Sequence, residues 1–447
     1  VINLASFFHA YDLRGKYPDQ IDEEKAEKVG KAFGTFTEAE KVLVGRDGRT
    51  HGENIKDAFI RGVNSTGADV LDAGIVPTPV IYQGMRQRDI DASAVITASH
   101  NPPEYTGFKF SKEEALAMSR EGGMKQIEQL YELGGFESGN GARKEVELEG
   151  DYIEAVEDKL EIEESLEIAV NYGNGVAAGL GEKVLEGIGC DVKPINDKID
   201  GRFPNHLPDP TNEDAKKALR EEMNDEDLGI ILDGDGDRAG FILPGKGYIA
   251  EDEVLALFSQ HCLEKEKGKV VHDLRASKLV PEKIGESGGE AVETRVGHTF
   301  ISESIHSDEG IVFAGELSGH YYFSVYGFPF DDGIFAAALM CKIASENDLG
   351  KIIENYPEYP VSPELRIDCP EEAKEKVVEE IKNSYSDYDV STIDGAKIIF
   401  ENGWALVRPS NTEEKMSVRC EGDTQEDVDE ILEKVKAEVK RLIGKYS

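Results

Sequence analysis

Cysteine is scarce: five residues among 447 (Cys190, Cys262, Cys341, Cys369 and Cys420), far apart and without a C-x-x-C pair. That excludes a disulfide framework and a thiolate zinc site, suits a reducing cytosol, and leaves ordinary buried thiols. Long hydrophobic runs are also missing. Hydrophobic residues make up 39% of the chain, and no run approaches the roughly 20 apolar residues of a membrane helix. The opening VINLASFFHAYDLRG turns polar at Asp12 and Arg14, with neither a basic leader nor a cleavage site. It is not read as a signal peptide. Positive charge is in short supply, since 50 Lys and Arg face 90 Asp and Glu for a net charge of −40. Such a surface repels nucleic-acid phosphates and anionic membranes, so neither is expected as a partner. The acidic residues are spread rather than blocked, which reads as the solvated surface of a salt-adapted cytoplasmic protein, not an interaction tail. A local cluster of cations can still bind an anion. A monomer or homodimer is expected.

What is present is an alternation of short β-branched runs with helical stretches, the pattern of α/β units with mainly parallel sheets. Strands are expected at KVLVG (41–45), SAVITA (93–98), LEIAV (166–170), GIILD (229–233), KVVHDL (269–274) and GIVFAGE (310–316). Several end in Gly, Asp or Asn, and ligands of open α/β sheets gather at such carboxyl ends. A loose echo among VGRDGRT, NYGNGVAAG and VHDLRASK suggests a repeated plan. Breaks near 148, 246 and 360 divide the chain into 1–147, 148–245, 246–360 and 361–447. The last segment differs in kind. KIIFENGWALVRPS reads as a hairpin whose Asn402-Gly403 suits a type I′ turn. After it, Val428, Ile431, Leu432, Val435, Val439 and Leu442 share one helical face, with Thr424 and Asp427 as an N-terminal cap.

Four clusters carry chemistry. In ITASHNPPEYTGFKF (96–110) a serine stands beside a histidine, which invites a hydrolase reading. Neighbours in an extended segment point oppositely, so Ser99 and His100 should not form a nucleophile–base pair, and there is no G-x-S-x-G elbow. In ILDGDGDRAG, Asp233, Asp235 and Asp237 alternate and can converge on one hard cation: magnesium, calcium or manganese. An EF-hand is excluded by Arg238 and Pro244 at its sixth and twelfth positions, and a dinucleotide fingerprint by the interleaved carboxylates. No partner for this negative charge is visible in sequence. In VFAGELSGHYYF, Glu316 and Ser318 can accept and donate hydrogen bonds to sugar hydroxyls, with His320 read as structural. In VRPSNTEEKMSVRCEG, Arg408, Ser410, Asn411, Thr412 and Arg419 form the donor set of a phosphate dianion. A serine, a carboxylate loop, Lys109 and arginines together fit phosphoryl transfer better than hydrolysis.

TASHNPPEYTGFK, DGDGDR, GELSGH and RPSNTE occur in the order and spacing of the α-D-phosphohexomutases. The chain resembles their phosphomannomutase/phosphoglucomutase branch, with YDLRG, VGRDGR, PTP, FPNHLPDP and VGHTFI as supporting matches. The resemblance implies a four-domain, heart-shaped α/β enzyme, three related mixed α/β domains preceding a smaller α+β one. It implies phosphorylated Ser99, with Asp233, Asp235 and Asp237 as Mg²⁺ ligands completed by the phosphoserine. It further implies a sugar grip at Glu316 and Ser318, and a phosphate grip at Arg408, Ser410, Asn411 and Thr412 helped by Arg419. Lys109, Arg14, His100 and His298 match positions near the reacting groups, Lys109 being first choice for general acid/base work. The implied reaction converts hexose 6-phosphates and 1-phosphates through a hexose 1,6-bisphosphate. Thr106 and Glu414 depart from the family's usual Asn and Pro, and neither removes a needed donor. A phosphoglucosamine mutase is the runner-up. A metal-dependent sugar phosphatase and a non-catalytic sugar-phosphate sensor are rivals that leave one or more clusters unused.

Overall fold

The computed structural model describes residues 7–9, 12–410 and 414–446. Its strands form four sheets in succession along the chain. In the second, Cys190–Ile195, Leu166–Asn171 and Leu228–Leu232 run parallel, and Ala239–Leu243 and Gly247–Tyr248 return antiparallel. The third repeats this plan: Glu290–Thr294, Lys269–Asp273 and Ile311–Gly315 are parallel, followed by antiparallel Tyr321–Phe323 and Phe328–Asp331. The first sheet contains it as well, with Asp69–Ile75, Lys41–Arg46 and Ala92–Ile96 parallel and Tyr105–Lys112 antiparallel. Leu13–Lys16 and Arg143–Glu145 extend its edges. VGRDGRT, NYGNGVAAG and VHDLRASK each begin in the first strand of this repeated plan and run past its carboxyl end, so the faint echo marks a real structural repeat.

The strands form where expected because their β-branched runs are buried on both faces, as parallel sheets require: Ala92–Ile96, Leu228–Leu232 and Ile311–Gly315 are buried at every residue. The pair Gly247–Tyr248 belongs to the second sheet, so that sheet extends past the expected boundary at 245. The fourth sheet, Leu365–Asp368 with three hairpin-connected strands and Lys415–Gly422, is antiparallel throughout.

In that last unit the hairpin is present but its turn is not type I′. The two loop residues are Glu401 and Asn402, neither with positive φ, while Gly403 already pairs with Phe400. The helix Gln425–Tyr446 buries Val428, Ile431, Val435, Val439 and Leu442, with Leu432 half-buried. Its cap is reciprocal: Thr424 N donates to Asp427 Oδ2 at 3.0 Å and Asp427 N to Thr424 Oγ1 at 3.3 Å. All five cysteines are buried and unpaired. No helix among the described residues is long and apolar enough to cross a membrane.

Candidate active site

Three of the four clusters occupy the same station of the repeated plan, the loop between the third parallel strand and the antiparallel fourth. Ser99 follows Ala92–Ile96, the aspartate loop follows Leu228–Leu232, and Glu316 follows Ile311–Gly315. Ser99 is buried and has φ 47°, a left-handed conformation that costs a non-glycine residue about 1–3 kcal/mol. Its Oγ donates to Asp233 Oδ2 at 2.7 Å and accepts from Arg238 Nη2 at 3.2 Å. His100 Nδ1 also lies 3.2 Å from Ser99 Oγ. This corrects the alternation argument: the two residues sit in a turn, not a strand, and the positive φ swings both side chains to one side. Burial, then Arg238, hold the His100 imidazole well below its ordinary pKa, so it is neutral and accepts from the Arg238 guanidinium at Nδ1.

The aspartate loop is fully buried at Asp233, Asp235 and Asp237. Gly234 is required by close approach, since a Cβ there would stand 2.5 Å from the Ser99 carbonyl oxygen. Gly236 has φ 80° and lets its N–H turn back to Asp233 Oδ1 at 2.8 Å. The negative charge that seemed unpartnered in sequence is met by two cations. Lys109 donates to Asp235 Oδ2 at 2.7 Å and to Asp237 Oδ2, and Arg238 Nε lies 3.3 Å from Asp233 Oδ2. Burial and the other two aspartates push Asp233 well above the carboxylate range. Against burial, Lys109 and then His320 hold Asp237 well below it. Against burial, Asp235 and Asp237 hold Lys109 well above the ordinary lysine value. Lys109 is therefore held protonated by the two buried carboxylates.

Glu316 is buried, with Oε1 accepting from Gly297 N at 2.7 Å and Oε2 within 3.3 Å of Ser318 Oγ. His320, read as structural, joins two clusters. Its Nδ1 is 3.1 Å from Glu316 Oε2 and its Nε2 is 3.6 Å from Asp237 Oδ1. Against burial, Asp237 and then Glu316 raise this imidazole to about 10. A histidine two residues beyond Ser318 was the only sequence signal for that bridge. His298 opens the helix His298–Ser307, stacks on His320 at 5.8 Å and lies 3.3 Å from Asp331 Oδ2. Arg14 reaches the serine loop from the neighbouring strand through Asn101 Oδ1 at 2.5 Å, and also pairs with Asp12. Arg408 pairs with Asp394 at 2.9 Å, and Arg408 Nε and Arg419 Nε are buried without hydrogen-bond partners. Among the described residues, no hydrogen bond or ion pair ties Arg408 or Arg419 to the Ser99 cluster. Ser410 N donates to the Lys415 carbonyl at 2.9 Å, and Asn411 and Thr412 lie outside the described residues.

Four consecutive segments match known domains. Residues 5–137, 150–246 and 250–359 match the phosphoglucomutase/phosphomannomutase alpha/beta/alpha domains I, II and III, and 364–438 match the C-terminal domain of the same proteins. The chain belongs to the phosphoglucomutase/phosphomannomutase family. It is 33% identical over 438 residues to a phosphomannomutase/phosphoglucomutase of Pseudomonas aeruginosa, covering 96% of this chain and 94% of that one. It is 35% identical over 449 residues to a phosphomannomutase of Methanocaldococcus jannaschii, with 98% and 97% covered. A crystal structure of a phosphoglucomutase/phosphomannomutase family protein from Burkholderia thailandensis superposes with a TM-score of 0.92 at 29% identity, covering 98% of each chain.

A metal site in this phosphoglucomutase/phosphomannomutase family member has to fit the donors present. Ligand oxygens of Asp233, Asp235 and Asp237 lie within 4.8 Å of one another, and Asp235 Oδ1 and Asp237 Oδ1 are buried without hydrogen-bond partners. Clustered carboxylate oxygens with hydrogen-bonding capacity to spare are what a hard divalent cation takes up. The trio fits Mg²⁺.

Proposed function

We propose that this chain is a phosphohexomutase that moves a phosphoryl group between C1 and C6 of a hexose phosphate, through phosphorylated Ser99 and a bound hexose 1,6-bisphosphate. The observation that carries the reading is Ser99 Oγ at 2.7 Å from Asp233, inside a loop of three carboxylates and Lys109. In the first transfer the Oγ–P bond breaks as a bond from phosphorus to a sugar oxygen forms, and in the second the bond from phosphorus to the opposite sugar oxygen breaks as Oγ–P forms again. In the first the sugar hydroxyl gives up its proton and Ser99 Oγ gains one; in the second Ser99 Oγ gives its proton up and the released sugar oxygen takes one. Lys109 is assigned the general acid/base work, with His100 and Arg14 beside the reacting oxygen and His298 at the sugar side. Mg²⁺ held by Asp233, Asp235, Asp237 and phosphoserine would neutralise charge on the transferring group. Glu316 and Ser318 read the sugar hydroxyls. Arg408, Ser410 and Arg419, with Asn411 and Thr412, hold the phosphate that is not reacting, as a bidentate guanidinium can. The bisphosphate then turns end for end, and its other phosphate returns to Ser99.

Hexose ranks above glucosamine because GELSGH resembles the hexose-type sugar loop. The scattered buried thiols support a cytoplasmic setting, and a monomer or homodimer is proposed. The test uses phosphatase-treated protein, which should be nearly inactive with hexose 1-phosphate until a trace of hexose 1,6-bisphosphate is added. Phosphorus NMR should then follow isomerisation, and peptide mapping should place the phosphate on Ser99. Release of inorganic phosphate in place of isomer, or undiminished turnover in Ser99→Ala, would overturn it.

A further inference from the structure

Arg49 has no part in the four clusters, yet it is buried at 1% exposure directly behind Ser99. Its guanidinium has five N–H donors, and the contacts account for all of them. Nε donates to Asp47 Oδ2 at 3.0 Å. Nη1 donates to the carbonyls of Pro102 at 2.6 Å and Tyr105 at 3.0 Å. Nη2 donates to the carbonyls of Ser99 at 2.8 Å and Asn101 at 2.7 Å. One rigid, planar fork thus fixes four carbonyls of the serine loop. Asp47 sets the orientation of that fork. Its Oδ2 also accepts from Thr97 Oγ1 at 2.8 Å, and Thr97 Oγ1 in turn accepts from Ser99 N at 2.8 Å. Both the N–H and the C=O of Ser99 are therefore tied to the same Asp47–Arg49 bracket. The second unit closes over it: the Phe203 ring centre lies 5.1 Å from the guanidinium carbon, and a Cβ on Gly201 would stand 2.4 Å from Arg49 Cα.

We propose that Arg49, locked by Asp47, is the positioning residue of the phosphoryl-transfer reaction. It holds Ser99 in its left-handed conformation with Oγ aimed at Asp233. A non-glycine residue keeps such a backbone only where its surroundings over-determine it, and the bracket does so. The reaction sharpens the need, because one oxygen must meet both ends of a reoriented bisphosphate from the same place. A lysine ammonium is a point donor and cannot reproduce a fork to four carbonyls. The proposal rests on Ser99 as the phosphoryl carrier, so wild-type protein loaded with hexose 1,6-bisphosphate is mapped first. An unmodified Ser99 there overturns both readings together.

With Ser99 loaded in the wild type, Arg49→Lys separates them. The expected result is a kcat lower by about a hundredfold per folded molecule, with KM for hexose 1-phosphate changed less than about threefold, as misplacement of a reacting group predicts. The phosphoserine phosphorus resonance should broaden or split. A lowered melting temperature with unchanged kcat and an unchanged resonance would mean a merely structural arginine and would overturn the proposal. If Arg49→Lys does not fold, the Thr97 pair decides. Thr97→Val, which removes the hydroxyl at nearly constant volume, should lose kcat at constant KM, and Thr97→Ser should recover most of it. Equal rates in the two Thr97 variants would overturn the bracket.

Discussion

The proposed reacting centre and the region proposed to grip phosphate are built on different foundations. Around Ser99 and the aspartates, the first three units share one hydrophobic cluster, which runs through Leu43, Tyr82, Ile168, Ile230, Phe258 and Phe335. The fourth unit has its own core, containing Val377, Ile398, Val418 and Val435. Its apolar joint to the rest is small: Leu274, Trp404 and Leu406, with Val296 against them. Polar contacts finish that joint. Glu421 Oε1 accepts from Lys278 N and Trp404 Nε1, both at 3.0 Å, and Lys397 pairs with Glu293. Three buried carboxylates within reach of one another tolerate no slack, because their repulsion is balanced only while Lys109 and Arg238 stay in place. A grip on a phosphate has no such demand. On the proposed reading, chemistry sits in the fused core and holding in a separately cored unit.

The largest expected effect breaks the first half of that comparison. Asp235→Asn removes one carboxylate of the trio and one partner of Lys109. Turnover should fall at least about a hundredfold, in line with the several kcal/mol a metal contributes, while circular dichroism stays that of the folded protein. Full activity in the variant, or in wild-type protein with magnesium chelated, would refute a metal role for this loop. Next comes Leu274→Ala at the joint, where Leu274 is wholly buried. Truncating a buried leucine costs about 2–5 kcal/mol. Here it should loosen the fourth unit alone, raising KM and exposing its linker to limited proteolysis, with phosphate loading of Ser99 retained. One cooperative transition shifted as a whole would show the two regions to be a single unit.

The smallest effect probes the fused core through pH. Asp332 is wholly buried and accepts from Tyr152 Oη at 2.8 Å and Phe335 N at 2.8 Å, joining the second and third units. Burial pushes its carboxyl up to about 7. Between the unfolded value of about 3.9 and that value, the folded state binds the extra proton, so its contribution to stability is lost as pH rises through the window. Asp332→Asn cannot titrate. Its stability relative to wild type should therefore climb between about pH 4 and 7, by about 1 kcal/mol or more, and stay level above. Melting curves across that range decide it, and parallel curves would place the Asp332 pKa near its ordinary value.

Much of this was legible from residues. The third-strand runs SAVI, GIIL and IVFAG are short stretches of apolar and small residues around Val and Ile and became buried central strands, because a parallel strand covered on both faces needs no alternation. The Thr424–Asp427 cap is a local bond pattern and formed as written. Where local logic failed, a distant residue was responsible. Alternation said that Ser99 and His100 point apart, but Arg49 and Thr97 hold Ser99 at φ 47°. The Asn-Gly turn failed more modestly, since the register of the flanking strands put Gly403 inside the ladder rather than in the loop.

By itself the sequence determined the four loops, their order, and the chemistry each could offer: a hydroxyl, three carboxylates, a glutamate beside a serine, and a set of cationic and hydroxyl donors. These depend on residue type and on spacing within one element, which a linear chain states outright. The tertiary structure alone decided that Lys109 and Arg238 neutralise the aspartates, that His320 bridges Glu316 and Asp237, and that Arg49 stands behind Ser99. Lys109 with Asp235, His320 with Asp237 and Arg49 with Ser99 pair residues from different strands or different units, and spacing along a chain carries no information about which loop ends converge. That convergence follows from three sheets repeating one plan and packing so that the ends of their third strands meet.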